Sequence, residues 1–235
     1  MTPRWPALLM LLAVTALLAA AEPAGVTILD NTTVTNTPQS AASITTAGGT
    51  FTTLLLNATT QTLRWKAYVG NVTGTITLDD AQNSTIYDWT PVTVSGEVYA
   101  TRNSTVGWSS IGCAGNATIA TEQVQLNLTT TKVDSINQTF NQTVHRGLYV
   151  GTTLIANSTC RAVATYVNST RQQPAENATF QEVLLSDSSN RLVYATLLEN
   201  DAQGYNAGAF DFQMIVAESD VTPTPSTYYF WAEIS

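Results

Sequence analysis

Short segments in which apolar and polar residues alternate recur along most of the chain, and they limit its fold more than any other feature. They are rich in Val, Ile, Thr, Tyr and Trp, and Gly, Asn, Asp or Pro separate them. Clear examples are GTFTTLLLNA, TLRWKAYVG, PVTVSGEVYAT and RLVYATLLE. A period of two residues is typical of strands with one buried face. The pattern predicts an all-β fold, an antiparallel β-sandwich rather than a barrel. Only TEQVQLNLTTTKVDSINQTF departs from it, as a short helix or an irregular connection.

Two segments repeat one hairpin pattern at an offset of 187 − 80 = 107 residues. Each consists of a strand, a D-x-x-N turn and a returning strand, with Asp80 and Asn83 in one turn and Asp187 and Asn190 in the other. In such a turn Asp accepts hydrogen bonds from nearby N–H groups, and Asn tolerates positive φ. We predict two similar hairpins in equivalent places of two sheets. A chance match of a common turn pattern is the alternative.

The first 21 residues have the features of a secretory signal peptide. Arg4 precedes an apolar run over residues 7–20, and Ala19 and Ala21 complete a small-residue cleavage pattern. An uncleaved membrane anchor is the alternative, although the run is shorter than a bilayer requires. We expect cleavage after Ala21, an extended arm over residues 22–46 and a β-sandwich domain over residues 47–235. Such a signal directs the protein to the extracellular space or the cell surface.

The composition excludes several classes of partner. Charged residues make up 11% of the chain, about half the usual share, and the net charge is −8. The only lysines are Lys66 and Lys132, so the chain lacks a basic cluster for nucleic acid or an anionic membrane surface. Hydrophobic residues make up 44%, which argues against disorder. After signal cleavage no apolar run approaches membrane-spanning length.

Two cysteines, Cys113 and Cys160, occur in a chain that we expect to enter an oxidising compartment. An even number of cysteines there usually means a disulfide, which is our prediction; two buried free thiols are the alternative. The single His145 and two distant cysteines match no metal-ligand spacing. We interpret His145, which lies among polar residues in NQTVHRG, as an exposed surface residue.

The acceptor pattern for N-glycosylation is strongly enriched. It occurs at twelve of the sixteen asparagines and stops well before the C-terminus. These positions are Asn31, Asn57, Asn71, Asn83, Asn103, Asn116, Asn127, Asn137, Asn141, Asn157, Asn168 and Asn177. A β protein rich in Asn and Thr could form such triplets by accident. We predict glycosylation at most of them, and a C-terminal part buried in a core or against a neighbour.

The run RWKAYVGNVTGTITLDDAQNSTIYDW, followed by GEVYAT and later by FQEVLLSDSSNRLVYATLLENDAQGYNAGAFDFQMIV, carries a family resemblance. Over about residues 63–235 the chain resembles an uncharacterised family of secreted archaeal cell-surface glycoproteins. The resemblance implies an archaeal envelope or extracellular location and no catalytic residue. The modest acidity departs from the composition of proteins from high-salt archaea.

Catalytic patterns are weak in this chain, and we expect no enzyme and no cofactor. A nucleophile needs an adjacent base, and His145 is the only histidine. Two carboxylates could serve a glycosidase. The candidate pairs are Asp79 with Asp80, Glu182 with Asp187, and Glu199 with Asp201. Backbone capping in the turns already explains Asp80 and Asp187.

Two binding roles are alternatives to an ordinary structural role for the polar and aromatic residues. Glu199, Asp201, Asn206 and Asp211 surround a glycine-containing bend that could supply oxygen ligands to Ca²⁺, but their spacing is not that of a calcium loop. Aromatic residues in the first half could stack on sugar rings. These are Trp65, Tyr68, Trp89, Tyr99 and Trp108, of which Trp65 and Tyr99 have the pattern of core residues.

The function predicted from these features is structural. We expect a filament or surface-layer-associated subunit that assembles with itself or with other surface proteins through β-strand contacts. The alternative is an extracellular carbohydrate-binding or adhesion module that recognises glycans. Val26, Ile28 and Leu29 make the arm a candidate donor strand, with an acceptor in the C-terminal part. Alternatively, the arm is a flexible leader or the first strand of its own domain.

Overall fold

The computed structural model describes residues 22–219 and 225–235, and within them the chain is an all-β protein built from antiparallel sheets. The sequence-based prediction of the fold class is therefore confirmed. The signal peptide predicted for residues 1–21 lies outside the described residues. No helix among the described residues is long and apolar enough to cross a membrane.

The elements are short and strands dominate. In chain order they are β1 (Ala24–Gly25), β2 (Trp65–Gly70), β3 (Ile76–Asp79), β4 (Thr85–Trp89), β5 (Gly96–Thr101), a 3-10 turn (Trp108–Ser110), β6 (Gly112–Cys113), α1 (Asn116–Gln125), α2 (Ile136–Thr139), β7 (Leu148–Val150), β8 (Thr153–Ile155), β9 (Ala162–Ala164), β10 (Gln181–Ser186), β11 (Leu192–Leu197), β12 (Ala202–Gln203), β13 (Ala209–Phe210), β14 (Phe212–Ala217) and β15 (Tyr229–Ile234).

A large sheet with the order β1-β15-β5-β11-β10 forms the centre of the fold. The short strands β6 and β9 both pair with β10, one after the other along its outer edge. Strands β10 and β11 are buried almost throughout. The region after Asn177 thus supplies the middle of the core, as the absence of glycosylation acceptors there predicts.

One face of the central sheet is covered by a smaller sheet and two short helices. β2 and β14 pair over six residues, and Met214 and Val216 on β14 pack against Leu184 and Tyr194 of the central sheet. The helices add apolar residues to the same cluster, including Ile136 of α2. This packing of one antiparallel sheet on another is the sandwich arrangement expected from the alternating pattern.

The opposite face carries a second core under the β7–β8 hairpin. Leu148, Val150 and Ile155 of this hairpin pack against a cluster that includes Tyr99 and Trp108. The rings of Tyr99 and Trp108 lie 5.1 Å apart, at an angle that suits aromatic packing. The central sheet is therefore buried on both faces, which explains why successive residues of β11 and of the VLL stretch in β10 are apolar instead of alternating with polar ones.

Both turns of the repeated hairpin pattern adopt one conformation. The amide of Asn83 donates to the carbonyl of Asp80, and the amide of Asn190 donates to that of Asp187, each over 3.0 Å. Asn83 and Asn190 have φ of 60° and 56°. The predicted turn is confirmed, but its predicted placement is wrong. β10–β11 lies in the middle of the central sheet, whereas β3–β4 is a separate two-stranded sheet with every residue exposed.

Two further sequence expectations have different outcomes. The segment expected to be a short helix or a connection contains the end of α1 and all of α2, joined by turns. GTFTTLLLNA, which has the pattern of a strand, lies outside every sheet and is exposed. Strand propensity requires a partner strand, and this segment has none within the described chain.

Candidate functional site

The most unusual surface of this protein is a long exposed segment, residues 26–63. All of these residues are exposed, and they contain neither helix nor strand. Phe51 and Leu55 are 93% and 101% exposed, and Leu54 and Leu56 also lie in solvent. Large apolar side chains usually lose most of their exposure on folding. An uncovered cluster of this kind marks an interaction site or an aggregation hazard.

The exposed segment is tied to the body at both ends. At its start, β1 pairs with Trp231 and Ala232 of β15, so the first residues of the predicted arm do form a strand of their own domain. At its end, the Thr62 hydroxyl donates to the Asp134 carboxylate over 2.6 Å. Val26, Ile28 and Leu29, the residues proposed for strand donation, are exposed beyond β1.

β2 has an unpaired edge. Among the described strands it pairs only with β14, through Lys66, Tyr68 and Gly70 on the side that faces β14. The backbone groups of the alternate residues point to the other side. The corresponding edge of β14 is covered, because Ile215 N donates to Glu182 Oε2 over 2.9 Å and Gln213 O accepts from the Thr196 hydroxyl over 2.8 Å. Only the β2 edge of this smaller sheet can therefore accept another strand.

Beside this edge lies apolar surface of the central sheet. The ring of Tyr68 on β2 meets the ring of Phe230 on β15 edge-on, with centroids 5.0 Å apart. Phe230 and Ala232 are only partly buried. A groove of about 310 Å³ runs between Val26, Ile28 and the start of β15. The smaller sheet thus leaves part of the central sheet uncovered.

The β3–β4 hairpin presents a second exposed apolar face. Ile76 pairs with Trp89 and Leu78 with Tyr87, so the four side chains share one face. The rings of Tyr87 and Trp89 lie 4.9 Å apart, and both are about half exposed. An exposed pair of aromatic rings suits stacking on a sugar or on another apolar surface.

The remaining aromatic candidates belong to the core. Trp108 is 7% exposed and packs against Tyr99 and Trp231. Tyr99 is fully buried, and Trp65 packs against Phe140. The prediction that Trp65 and Tyr99 are core residues is confirmed. Trp108 cannot offer its ring to a ligand in this fold, so of the three tryptophans considered for sugar binding only Trp89 remains.

None of the twelve predicted glycosylation sites is buried. Ten of the asparagines are exposed, while Asn103 and Asn137 are partly covered. A buried asparagine could not carry a glycan in the folded protein. The four other asparagines are exposed too, so surface position by itself does not distinguish the acceptors.

Cys113 and Cys160 lie at disulfide distance, with their Cα atoms 4.9 Å apart. Cys113 belongs to β6, and Cys160 stands just before β9. β6 and β9 follow each other along β10, so the two cysteines lie side by side where the chain leaves β10 and returns to it. A bond between them would close the loop of 47 residues that connects these two strands.

The interpretation of His145 as a surface residue is wrong, because the ring is fully buried beside Cys160. Its Nε2 accepts hydrogen bonds from the amides of Thr159 and Cys160, over 3.1 and 2.9 Å. Its Nδ1 lies 2.6 Å from the carbonyl of Arg146 and donates to it in the tautomer that these bonds require. His145 therefore holds the backbone at the cysteine pair, a long-range role that the sequence does not signal.

The candidate acid pairs have structural partners. Glu182 is fully buried, and this burial raises its pKa, while its carboxylate accepts from Ile215 N. Asp187 forms an ion pair with Arg191, 2.5 Å apart, and its hydrogen bonds lower its pKa against the opposing effect of burial. Asp80 caps the amides of Gln82 and Ser84, each over 2.8 Å. Asp79 accepts from Thr77.

The proposed calcium-binding bend is likewise held by internal bonds. Glu199 forms an ion pair with Arg146. The Asp211 carboxylate accepts from the amides of Val72 and Asp201, over 2.8 and 3.0 Å. Within the described part of the chain, no three His, Cys, Asp or Glu residues come together as a metal site.

Comparison with known proteins adds no relative. No family model, no curated protein and no solved structure matches this chain.

Proposed function

We propose that this chain is a secreted, N-glycosylated structural subunit of a cell surface, and that it assembles with copies of itself into a filament or surface layer through β-strand contacts. The observation that carries this proposal is the exposed segment of residues 26–63, which joins strand-forming sequence to large uncovered apolar side chains. In a single chain these apolar side chains remain in contact with water. Contacts between copies would bury them and would pair the backbone of the segment.

The energetic case rests on four side chains. Phe51, Leu54, Leu55 and Leu56 are all more than half exposed in the single chain. Full burial of one such side chain stabilises by about 1.5–3 kcal/mol. Even two of them in an interface offset a sizeable part of the entropy lost on association, and backbone ladders add to that.

Secretion and glycosylation are supported by independent features. The N-terminal sequence has the pattern of a signal peptide, two cysteines lie at disulfide distance, and the acceptor asparagines lie at the surface. A glycan coat would supply the solubility that a surface with few charges lacks. The resemblance noted in the sequence extends the proposal to an archaeal envelope.

The test compares the mature chain, beginning at Glu22, with a variant that lacks residues 27–61. The deletion keeps β1 and the contact between Thr62 and Asp134, so the body should still fold. Light scattering and electron microscopy should show oligomers or filaments for the full chain and monomers for the variant. Identical particles from both proteins, or a full chain that stays monomeric at every concentration, would contradict the proposal.

A second candidate function is carbohydrate binding, favoured by the exposed rings of Tyr87 and Trp89. A glycan array tests it. Specific binding that Trp89→Ala abolishes, without a change in unfolding midpoint, would favour this function. Trp108→Ala is unsuitable as a binding variant, because Trp108 is buried and its loss would damage the core.

A further inference from the structure

We propose that residues 50–56 of one copy pair with the open edge of β2 in a second copy, as the third strand of its smaller sheet. This inference rests on the proposed self-assembly and specifies the two surfaces that meet. The first surface is the TFTTLLL stretch, which is rich in the strand-forming residues Thr and Phe and belongs to no sheet among the described residues.

The acceptor edge has the length and exposure that a strand requires. β2 runs over six residues, and Trp65, Ala67 and Val69 direct their backbone groups away from β14. The side chains of Ala67 and Val69 are exposed. An added strand of seven residues would satisfy these backbone groups along the whole of β2.

The added strand would also cover apolar surface. On the inner side of the smaller sheet, Tyr68 meets Phe230, which the two existing strands leave partly exposed. In a strand, alternate residues point to the same face. One of two sets of side chains would therefore lie over Phe230. The first set contains Leu54 and Leu56, and the second contains Phe51, Thr53 and Leu55.

Charge and glycosylation favour a second copy as the source of this strand. The full sequence has a net charge of −8, but residues 50–56 carry no charge, and Lys66 is the only charged residue of β2. The docking segment thus avoids the repulsion between acidic copies. The acceptor asparagines Asn57 and Asn71 lie just outside the two pairing segments, so glycans would flank the contact without blocking it.

Within residues 22–219 and 225–235, no other segment of the same chain fills the open edge of β2. Only residues 57–64 separate TFTTLLL from β2, yet the structure leaves the segment exposed and the edge unpaired. Thr62 is held by Asp134, so a fold-back would have to turn within residues 57–61, where Asn57 is a glycan acceptor.

The test is a cysteine scan between two differently tagged copies. One copy carries Ala67→Cys, and the other carries a single cysteine at one of positions 51–56. A strand pairing should give cross-links that alternate from one position to the next, because every second side chain lies on the side of Ala67. Val34→Cys, equally exposed in the same segment, is the matched control and should not cross-link.

A second variant measures association directly. Leu55→Pro removes a strand-forming position and should weaken association at least tenfold, while Val34→Pro should leave it unchanged. Both residues are exposed, so neither variant should alter the unfolding midpoint of the single chain. This inference is overturned if all positions 51–56 cross-link equally well, or if both proline substitutions have the same effect. It is also overturned if a chain that carries both introduced cysteines cross-links only within itself and never to a second copy. If copies still assemble in those cases, the proposed function survives and only this contact is wrong; if no assembly occurs at all, both fail.

Discussion

Glu97 and Glu233 lie directly opposite each other on the neighbouring strands β5 and β15. Glu97 is buried, and the Glu233 carboxylate accepts hydrogen bonds from the amide of Gly151 over 2.9 Å and from the Tyr99 hydroxyl over 3.3 Å. Burial, and then the neighbouring Glu233, raise the pKa of Glu97 to about 8, against the lowering effects of Tyr99 and Arg146. Burial also raises the pKa of Glu233. Two opposing carboxyls of this kind favour a protonated partner.

The pair predicts a fold that is more stable in mild acid than at neutral pH. A carboxyl with a pKa of about 8 in the folded state and an ordinary pKa of 4.5 keeps its proton to a higher pH when the protein is folded. Its contribution to stability is therefore complete below about pH 4.5 and is lost as the pH rises to about 8. We expect a loss on the order of 4 kcal/mol over this range. Urea unfolding at pH 4.5, 6 and 8 measures it.

Glu97→Gln tests the assignment. The amide cannot ionise, so the variant should lose much less stability across the same pH range and should exceed the original protein above pH 8. A remaining slope is expected from Glu182 and Glu233, whose pKa values are also raised. If the variant and the original protein have parallel pH profiles, Glu97 is not the titrating group.

Asp187 and Asp80 offer a matched pair of substitutions in one turn type. Asp187 is buried and accepts from the Gly107 amide as well as from Arg191, whereas Asp80 only caps exposed amides. Asp187→Ala should lower the free energy of unfolding by about 2 kcal/mol, since it leaves the partly buried Gly107 amide and Arg191 guanidinium without their acceptor. Asp80→Ala should cost less than about 1 kcal/mol. Equal losses in urea unfolding would show that the turn alone matters.

The two hairpin turns show what the sequence could and could not predict. The Asp–Asn turn depends on bonds within five residues, so its conformation was readable from the sequence. The position of the β10–β11 hairpin in the core depends on the pairing of β11 with β5, which is distant in the chain. The local sequence pattern of a hairpin does not show which distant strand it pairs with. The burial of His145 was missed for the same reason. Residues 50–56 have strand propensity, but no described part of the chain pairs with them, so the expected strand is absent. The sequence pattern does not show that this partner is missing, so only the structure reveals the candidate assembly surface.

His145→Ala should lower the free energy of unfolding by about 2–4 kcal/mol. The substitution leaves the amides of Thr159 and Cys160 without an acceptor and opens a cavity at a fully buried site. Chemical unfolding under non-reducing conditions measures the loss. His145→Gln keeps an acceptor and should recover part of it; a wild-type midpoint for the alanine variant would rule out this bracing role.

A disulfide between Cys113 and Cys160 should stabilise the fold by about 4 kcal/mol, because it closes a 47-residue loop. Mass spectrometry of a non-reduced digest should find the two peptides joined. The double substitution of both cysteines by alanine should lower the unfolding midpoint to the value of the reduced protein. Free thiols at both positions in freshly secreted protein would refute the pairing.

Glycans should occupy most of the twelve acceptor asparagines. The intact mass of protein from its native source should fall on deglycosylation, and peptide mapping should find no glycan after Asn177. Occupancy of three sites or fewer would attribute the acceptor triplets to composition alone.

The junction between the exposed segment and the body has a mechanical consequence. Just after its contact at Thr62, the segment continues into β2 at Trp65, which pairs with Ala217 at the C-terminal end of β14. A pull on the segment along the strand axis therefore loads all six residue pairs of β2 and β14 together, in shear, instead of opening them one after another. Copies joined in series through this segment would transmit tension along hydrogen-bonded ladders, the direction in which a sheet resists extension best.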